Sequence, residues 1–375
     1  MSFTDTVTRA WREHSLFSVL IELTYRCNLS CFYCYNDLGL RGRPLSLEDH
    51  LRLLADLRRL EVLNLVLSGG EPLAYPHFLT LGAEARRLGF AIRIKSNGHA
   101  LRGALARRIR DRVDPFVIDI SLHGACAESH DRQTRVAGSF TRLLANLEEM
   151  RGLGLRVKLN CTLTCWNEAE IEAMVRLARR LALPLAINTE VTRRDDGDPA
   201  PLAIAASRQG LANLFERQMQ APNTAPARRG IDRDVGRGDD LQPASSDKHC
   251  GAGSATLAID PVGNVYPCVQ WRRALGNLHQ QSIVEIWQQA PGLAEVRSEN
   301  RAVRRMLAAR PDGRQLAFCP GSARLATGSS LRLHDAARRR AEVWSATARQ
   351  RSRPRLPVVR GEQPVPNRSA DEARS

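Results

Sequence analysis

Six short β-rich runs alternate with amphipathic helical stretches through the first half of the chain, and this alternation constrains the fold more than any other feature. The runs are Phe17–Thr24, Val62–Leu67, Phe90–Ser96, Phe116–Ser121, Leu155–Leu163 and Pro184–Thr189. Between the first two, Ser46 with Asp49 makes a capping-box-like helix start, and Leu47, Leu51, Leu54 and Leu57 then recur at helical spacing. Similar patterns predict helices over Pro76–Leu88, Leu101–Arg112, Ser139–Gly152 and Glu168–Leu183. Repeated βα units place parallel strands beside one another with helices outside them, so the fold class is α/β. Six such units are too few to close an eight-stranded barrel.

The alternation stops around Asp195-Asp-Gly-Asp-Pro-Ala-Pro201. A helix near Ser207–Gln220 follows, then a polar stretch containing Pro and Gly, expected to be a mobile connection up to about Lys248. A second module spans roughly His249–Gly328, and its clearest element is a hairpin: Ala255–Asp260, a Pro-Val-Gly-Asn turn, then Asn264–Val269. The organisation expected is an N-terminal extension over 1–16, a core over 17–195, a helix and linker over 196–248, a second module over 249–330 and a basic tail over 331–375. The tail is rich in Arg and Pro and poor in large apolar residues, which predicts disorder after at most one helix.

Composition narrows the setting. The chain has 375 residues, enough for one large domain and a smaller one. No run reaches the ~18 apolar residues of a membrane span, and no signal peptide opens the chain. A cytoplasmic location is therefore the default expectation. In a reducing compartment its nine cysteines point to metal ligands rather than disulfides. The net charge of +15 is almost wholly arginine, since Lys95, Lys158 and Lys248 are the only lysines. That bias reads first as the codon composition of a GC-rich genome. Electrostatic attraction for nucleic acid or an acidic peptide stays open, although the interleaved aromatics of a single-strand binding surface are missing.

Three cysteines, Cys27, Cys31 and Cys34, follow the first run with the spacing C-x3-C-x2-C, and Tyr33 precedes the third. A [4Fe–4S] cube is normally held by four thiolates, so three would leave one iron open to a small molecule. The alternatives are buried core thiols or a zinc site, which wants four ligands and usually C-x2-C pairs. Ser68-Gly-Gly-Glu-Pro72 follows the second run, and its glycines allow close backbone approach while Glu71 can accept a hydrogen bond from an ammonium group. Lys95-Ser-Asn-Gly98 ends the third run, and Ser121-Leu-His-Gly124 ends the fourth, with His130, Asp131, Arg132 and Arg135 beyond it. Cys126, Cys161 and Cys165 read as core or loop thiols.

On these motifs the chain resembles the radical S-adenosylmethionine (SAM) enzymes. The resemblance implies a partial (β/α)6 TIM-like barrel, with a [4Fe–4S] cluster on Cys27, Cys31 and Cys34 and SAM chelated to its open iron. It implies that Gly69, Gly70 and Glu71 meet the SAM amino group, that Ser96 and Asn97 lie on the ribose side, and that Tyr33, Ser121 and Arg135 complete the cofactor site. His123 stands where many relatives carry Asp, and the arginine spacing is offset. Farther on, Cys250 is followed by twelve residues, Gly263, four residues and Cys268. With Leu275-Gly-Asn-Leu278 and Ser282-Ile-Val-Glu-Ile-Trp287, this resembles a small SPASM or twitch domain that binds auxiliary iron–sulfur clusters. Only Cys319 remains of the later cysteines of the full pattern. Cys250, Cys268 and Cys319 suit one auxiliary [4Fe–4S] cluster, with an open iron or a further ligand such as His249; a degenerate module without metal is the alternative.

The resemblance implies reductive cleavage of SAM to a 5′-deoxyadenosyl radical, which removes hydrogen from a substrate while the protein positions it. A peptide or protein side chain is the expected substrate, with an electron donor such as flavodoxin or ferredoxin. Sulfatase-maturing relatives carry Asp where this chain has Val269, which disfavours that activity. About sixteen residues precede the first strand, too few for an N-terminal peptide-recognition domain, so a leader peptide would need either a separate leader-peptide-binding protein or the barrel surface itself. A small molecule or RNA nucleoside is the competing substrate class, and a non-catalytic iron–sulfur sensor is the competing non-enzyme reading.

Overall fold

The computed structural model describes residues 3–220, 247–313 and 316–352. The six expected strands are present as β1 (Ser18–Glu22), β2 (Asn64–Ser68), β3 (Ala91–Ser96), β4 (Val117–Ser121), β5 (Val157–Thr162) and β6 (Leu185–Asn188). Each pairs in parallel with its chain neighbour. One helix, α1 (Phe3–Glu13), precedes β1. The crossovers carry α2 (Leu47–Arg59), α3 (Phe78–Arg87), α4 (Gly103–Arg108), α5 (Ala127–Thr134), α6 (Ser139–Gly152) and α7 (Ile171–Leu181). Helix α2 begins at the Ser46–Asp49 capping box, where each side chain satisfies a backbone N–H of the other.

Strand alternation divides the side chains between two environments. Ile21, Leu67, Ile94, Ile120, Leu159 and Ile187 point to the helices and form the main apolar core. The opposite face carries Glu22, Arg93, Lys95, Asp119, Lys158 and Asn160, so the hollow of the curved sheet is polar. A space lined this way is suited to a polar ligand rather than to apolar packing.

The second module continues the sheet of the first. Its hairpin, β7 (Thr256–Ile259) and β8 (Asn264–Tyr266), is not an independent sheet. Strand β7 pairs in parallel with β1, from Ser18 opposite Thr256 to Ile21 opposite Ile259, and β8 and then β9 (Gly276–Asn277) add antiparallel. The result is one open nine-stranded sheet in the order β6-β5-β4-β3-β2-β1-β7-β8-β9. The physical reason is that β1 would otherwise be an apolar edge with unpaired backbone groups, and β7 covers it.

Helices α8 (Arg208–Gln220), α9 (Ile283–Gln289), α10 (Pro291–Ala308), α11 (Pro320–Thr327) and α12 (Asp335–Ser352) complete the description. The connection expected to be mobile falls largely on 221–246, outside the described residues. The N-terminal extension contains α1, whose Val7, Ala10 and Trp11 pack on Ala255, while the Lys248 ammonium donates to the Trp11 carbonyl at 2.6 Å. The tail is helical through Ser352, with Trp344 edge-on to Phe215 of α8 at 5.0 Å. Alanines 337 and 341 line the buried side of α12, so its helical period is written in small residues that a search for large apolar ones passes over.

Candidate functional site

The sequence motifs meet at the C-terminal ends of β1, β2 and β3, where ligands gather in parallel α/β sheets. The cysteine loop leaves β1 at Leu23, and the Gly-Gly-Glu turn leaves β2 beside it. Gly70 N–H donates to the Thr24 carbonyl at 2.7 Å, and Glu71 N–H to the Arg26 carbonyl at 3.0 Å. A Cβ at Gly69 would lie 2.3 Å from the Thr24 oxygen, and one at Gly70 would lie 2.6 Å from the Tyr25 oxygen, with φ at Gly69 of +136°. Only glycine lets the two loops approach so closely.

Glu71 is buried and ties the second motif to the third. Its carboxylate accepts from Ser96 Oγ at 2.9 Å, from Asn97 N–H at 2.8 Å and from Leu73 N–H at 3.1 Å. Burial pushes its pKa up, while these three donors act in the opposite sense. The Asn97 side chain then reaches the cysteine loop, donating to Asn28 Oδ1 at 2.7 Å with Cys27 Sγ 3.8 Å away.

The thiols differ in exposure: Cys27 is exposed, and Cys31 and Cys34 are half-buried. Burial pushes Cys31 up to about 12, against a hydrogen bond from the Tyr33 hydroxyl. Tyr33 also meets His123 Nε2 in a short contact. Thr162 N–H donates to His123 Nδ1 at 3.3 Å, which leaves the ring proton on Nε2, facing Tyr33. His123 is thereby part of the site's support and not a mere loop residue. His130 stands behind it, accepting from His123 N–H at 3.1 Å on Nδ1, and burial holds His130 down to about 4.

Ser121 lies at the end of β4 on the polar face. Arg135 adopts the left-handed conformation at φ +57°, and its guanidinium stacks 4.5 Å over Phe32, within the cysteine loop. Phe32 in turn packs on Trp166 at 5.2 Å, and Arg132 covers Trp166 at 4.4 Å. This ladder closes one side of the loop with two fixed positive charges.

Sequence reasoning missed a second cluster inside the hollow. Glu22 is fully buried, and Arg272 donates to both its oxygens at 3.1 and 3.0 Å. Arg272 also reaches Asp195 Oδ2 at 2.7 Å, while Tyr25 donates to Glu22 at 2.9 Å. Burial raises Asp195 to about 7 despite Arg272. A glutamate closing the otherwise apolar run Val19-Leu-Ile-Glu22 was the available signal.

Cys250 and Cys268 come together against Ala252, Trp271 and Val296. Cys319 caps α11, its sulfur accepting from Ser322 N–H at 3.5 Å, and burial raises it to about 12 with Cys268 and Glu190 adding negative charge nearby. His249 donates Nε2–H to the Phe318 carbonyl at 2.6 Å, so that nitrogen is committed. Cys126 and Cys165 are exposed apart from this group, and Cys161 is buried against Met174.

Among the described residues no three Cys, His, Asp or Glu side chains converge on a single metal ion. A cubane does not ask for that, because each thiolate binds a different iron. Three thiols on one short loop, next to a glycine cradle and a buried carboxylate, are a donor set that fits an open-iron cluster and an amino-acid ligand. Among the described residues no helix is long and apolar enough to cross a membrane.

Residues 21–178 match the radical SAM superfamily, and residues 250–309 match an iron–sulfur cluster-binding domain of the SPASM type. The chain is 29% identical over 304 residues to mycofactocin maturase MftC of Mycobacterium ulcerans (strain Agy99), covering 75% of this chain and 77% of that one. It is 31% identical over 264 residues to PqqA peptide cyclase of Ruegeria pomeroyi, covering 67% of each chain. It is 25% identical over 291 residues to AdoMet-dependent heme synthase of Methanosarcina barkeri, covering 74% of this chain and 83% of that one. Among solved structures, anSMEcpe with bound AdoMet and Cp18Cys peptide aligns with a TM-score of 0.66 at 17% identity, over 89% of this chain and 97% of that one. The last is a likeness of fold.

Proposed function

Since the chain belongs to the radical SAM superfamily and carries a SPASM-type domain after its barrel, we propose that it is a peptide maturase whose substrate lies in the polar hollow of the sheet. It is an enzyme that uses SAM, a [4Fe–4S] cluster and an auxiliary iron–sulfur cluster. When bound, the first cluster and SAM supply a 5′-deoxyadenosyl radical for hydrogen abstraction. In this reading Cys27, Cys31 and Cys34 hold the first cluster, and Cys250, Cys268 and Cys319 hold the auxiliary one.

The observation that carries the reading is the junction at Glu71, which joins the cysteine loop, the Gly-Gly-Glu turn and the Ser96–Asn97 turn through direct hydrogen bonds. Gly69 and Gly70 open their backbone to the SAM amino group. Glu71 orients the Ser96–Asn97 turn toward the ribose, and Tyr33 with His123 fixes the buried side of the loop. Ser121 and Arg135 flank the carboxylate end. The SPASM match and the maturase and peptide-cyclase relatives support a peptide as substrate. The heme-synthase match, which covers 83% of that relative, favours a tetrapyrrole as the second reading. A flavodoxin or ferredoxin as electron donor and a leader-binding partner complete the proposal.

The test is iron content and 5′-deoxyadenosine formation after anaerobic reconstitution. About eight irons per chain are expected, falling to about four in the Cys27/Cys31/Cys34→Ala variant. Peptides encoded beside this chain are expected to stimulate SAM cleavage. No stimulation by any of them, together with stimulation by a propionate-bearing tetrapyrrole, would replace the peptide reading with the second one.

A further inference from the structure

We infer that Lys95 is a recognition residue for a substrate carboxylate, held in the polar hollow beside the Ser96–Asn97 turn. The inference rests on the reading of that hollow as the substrate space, and it names the chemical group bound there.

The first observation is compositional. Of 55 basic residues only Lys95, Lys158 and Lys248 are lysine, so at nearly every position that accepts a cation this chain has arginine. Lys248 is accounted for by its buried hydrogen bond to the Trp11 carbonyl and its pairing with Asp247 at 3.5 Å. The other two stand in one row. Strand register places Lys95 opposite Asp119 and Asp119 opposite Lys158, across three adjacent strands and on the polar face. A compact ammonium with three rotatable donors suits a confined site where the planar guanidinium fork does not.

The second observation is charge pairing. Asp119, the carboxylate beside Lys95, is taken by Arg93, which donates to both its oxygens, and by Asn160 at 3.0 Å. Glu22 and Asp195 are held by Arg272, and Glu190 lies against Arg340 and His334. These four carboxylates are thus matched to other cations, Glu71 is satisfied by the neutral donors Ser96, Asn97 and Leu73, and among the described residues Lys95 has no ion pair. It is also exposed, in a strand whose flanking Ile94 and Ser96 are buried.

Position supplies the third observation. Lys95 immediately precedes Ser96 and Asn97, whose side chains reach Glu71 and the cysteine loop. An unmatched cation on the polar face, one residue from the turn that supports the cysteine loop, is where an anionic part of the substrate is best placed to orient the rest.

The scarcity of lysine makes the test direct. Reductive methylation of the reconstituted protein with 13C-formaldehyde gives three lysine signals plus the N-terminus, assigned with Lys95→Arg and Lys158→Arg. Glutarate and acetyl-Ala-Glu-Ala-amide are expected to shift the Lys95 signal, and acetyl-Ala-Gln-Ala-amide to bind about tenfold more weakly. Lys95→Met is expected to erase the difference between the acid and amide peptides, with iron content and SAM binding unchanged. Equal binding of the two peptides, or a Lys95 signal that only SAM moves, would overturn the inference. A Lys95 response to glutarate with no peptide stimulating SAM cleavage would keep the carboxylate site and remove the peptide. Peptide-dependent turnover with KM unaltered in Lys95→Met would do the reverse.

Discussion

The two cysteine groups are built in opposite ways. Cys27, Cys31 and Cys34 come from one loop, one thiol exposed and two half-buried, and the fold supports that loop from behind through Gly69, Gly70, Asn97 and Tyr33. Cys250, Cys268 and Cys319 come from a turn before β7, the loop after β8 and the cap of α11. The first group needs only local geometry plus a cradle, whereas the second exists only once β7 has paired with β1 and α10 and α11 have packed. A site of the first kind is legible as a spacing, and one of the second kind depends on tertiary structure that couples it to the rest of the protein.

The largest effect should separate the two in chemistry. Cys31→Ser is expected to lower reductive SAM cleavage by about a thousandfold or more, because in the proposed reading it removes a ligand from the cluster that does the cleaving. The Cys250→Ala/Cys268→Ala variant should keep substrate-free SAM cleavage within a few-fold while losing product formation. Measuring 5′-deoxyadenosine with dithionite as reductant checks both. Equal losses in the two variants would break the comparison, showing that the groups act as one unit.

The next effect concerns the bond between the regions. Arg272, from the second module, neutralises Glu22 at the end of β1 and Asp195 after β6. Arg272→Met leaves two buried carboxylates without a cation, at a cost of about 3–5 kcal/mol in denaturant unfolding of the reconstituted protein. Burial already raises both acids, Asp195 to about 7, so the folded variant holds protons that the unfolded chain releases. Stability must then fall as pH rises, and the deficit should be larger at pH 8 than at pH 5. A deficit independent of pH would mean that Arg272 acts through packing alone.

Much of this was visible in the sequence, for identifiable reasons. The six strands and α6 were legible because each apolar run is short and bounded by turn residues, and because the helices between them carry large aliphatic side chains at regular spacing. The three cysteines and the Gly-Gly-Glu turn were legible because they depend on neighbours in sequence. What stayed hidden depends on distance in the chain. The parallel pairing of β7 with β1 joins residues far apart, and Thr256-Leu-Ala-Ile259 reads equally well as half of an isolated hairpin. Helices α1 and α12 bury alanines and single tryptophans, a weak period. Arg272 and Asp195 look like ordinary surface charges until the fold turns them inward.

The smallest effect sharpens the comparison through pH. The loop of the first group leans on Tyr33, His123 and His130, and both imidazoles are held neutral by burial, His130 down to about 4. His130 Nδ1 accepts from His123 N–H, a bond that a protonated ring cannot accept. In the unfolded chain the same residue titrates near 6.5, so below that pH the unfolded state binds the proton first. This contribution to stability is therefore complete above pH 6.5 and is lost as pH falls toward 4, amounting to roughly 2–3 kcal/mol. His130→Asn keeps an acceptor without a titrating group and should flatten the acid limb of the unfolding curve. The histidine beside the second group, His249, donates to the Phe318 carbonyl and keeps that bond when protonated, so mild acid should release iron from the loop of Cys27, Cys31 and Cys34 before it releases iron from the second group. Iron release followed by chelator absorbance between pH 6.5 and 4.5, in wild type and in the variant lacking Cys250 and Cys268, decides the order. Release from the second group first would show that its buried assembly, and not the histidine-backed loop, is the weaker of the two.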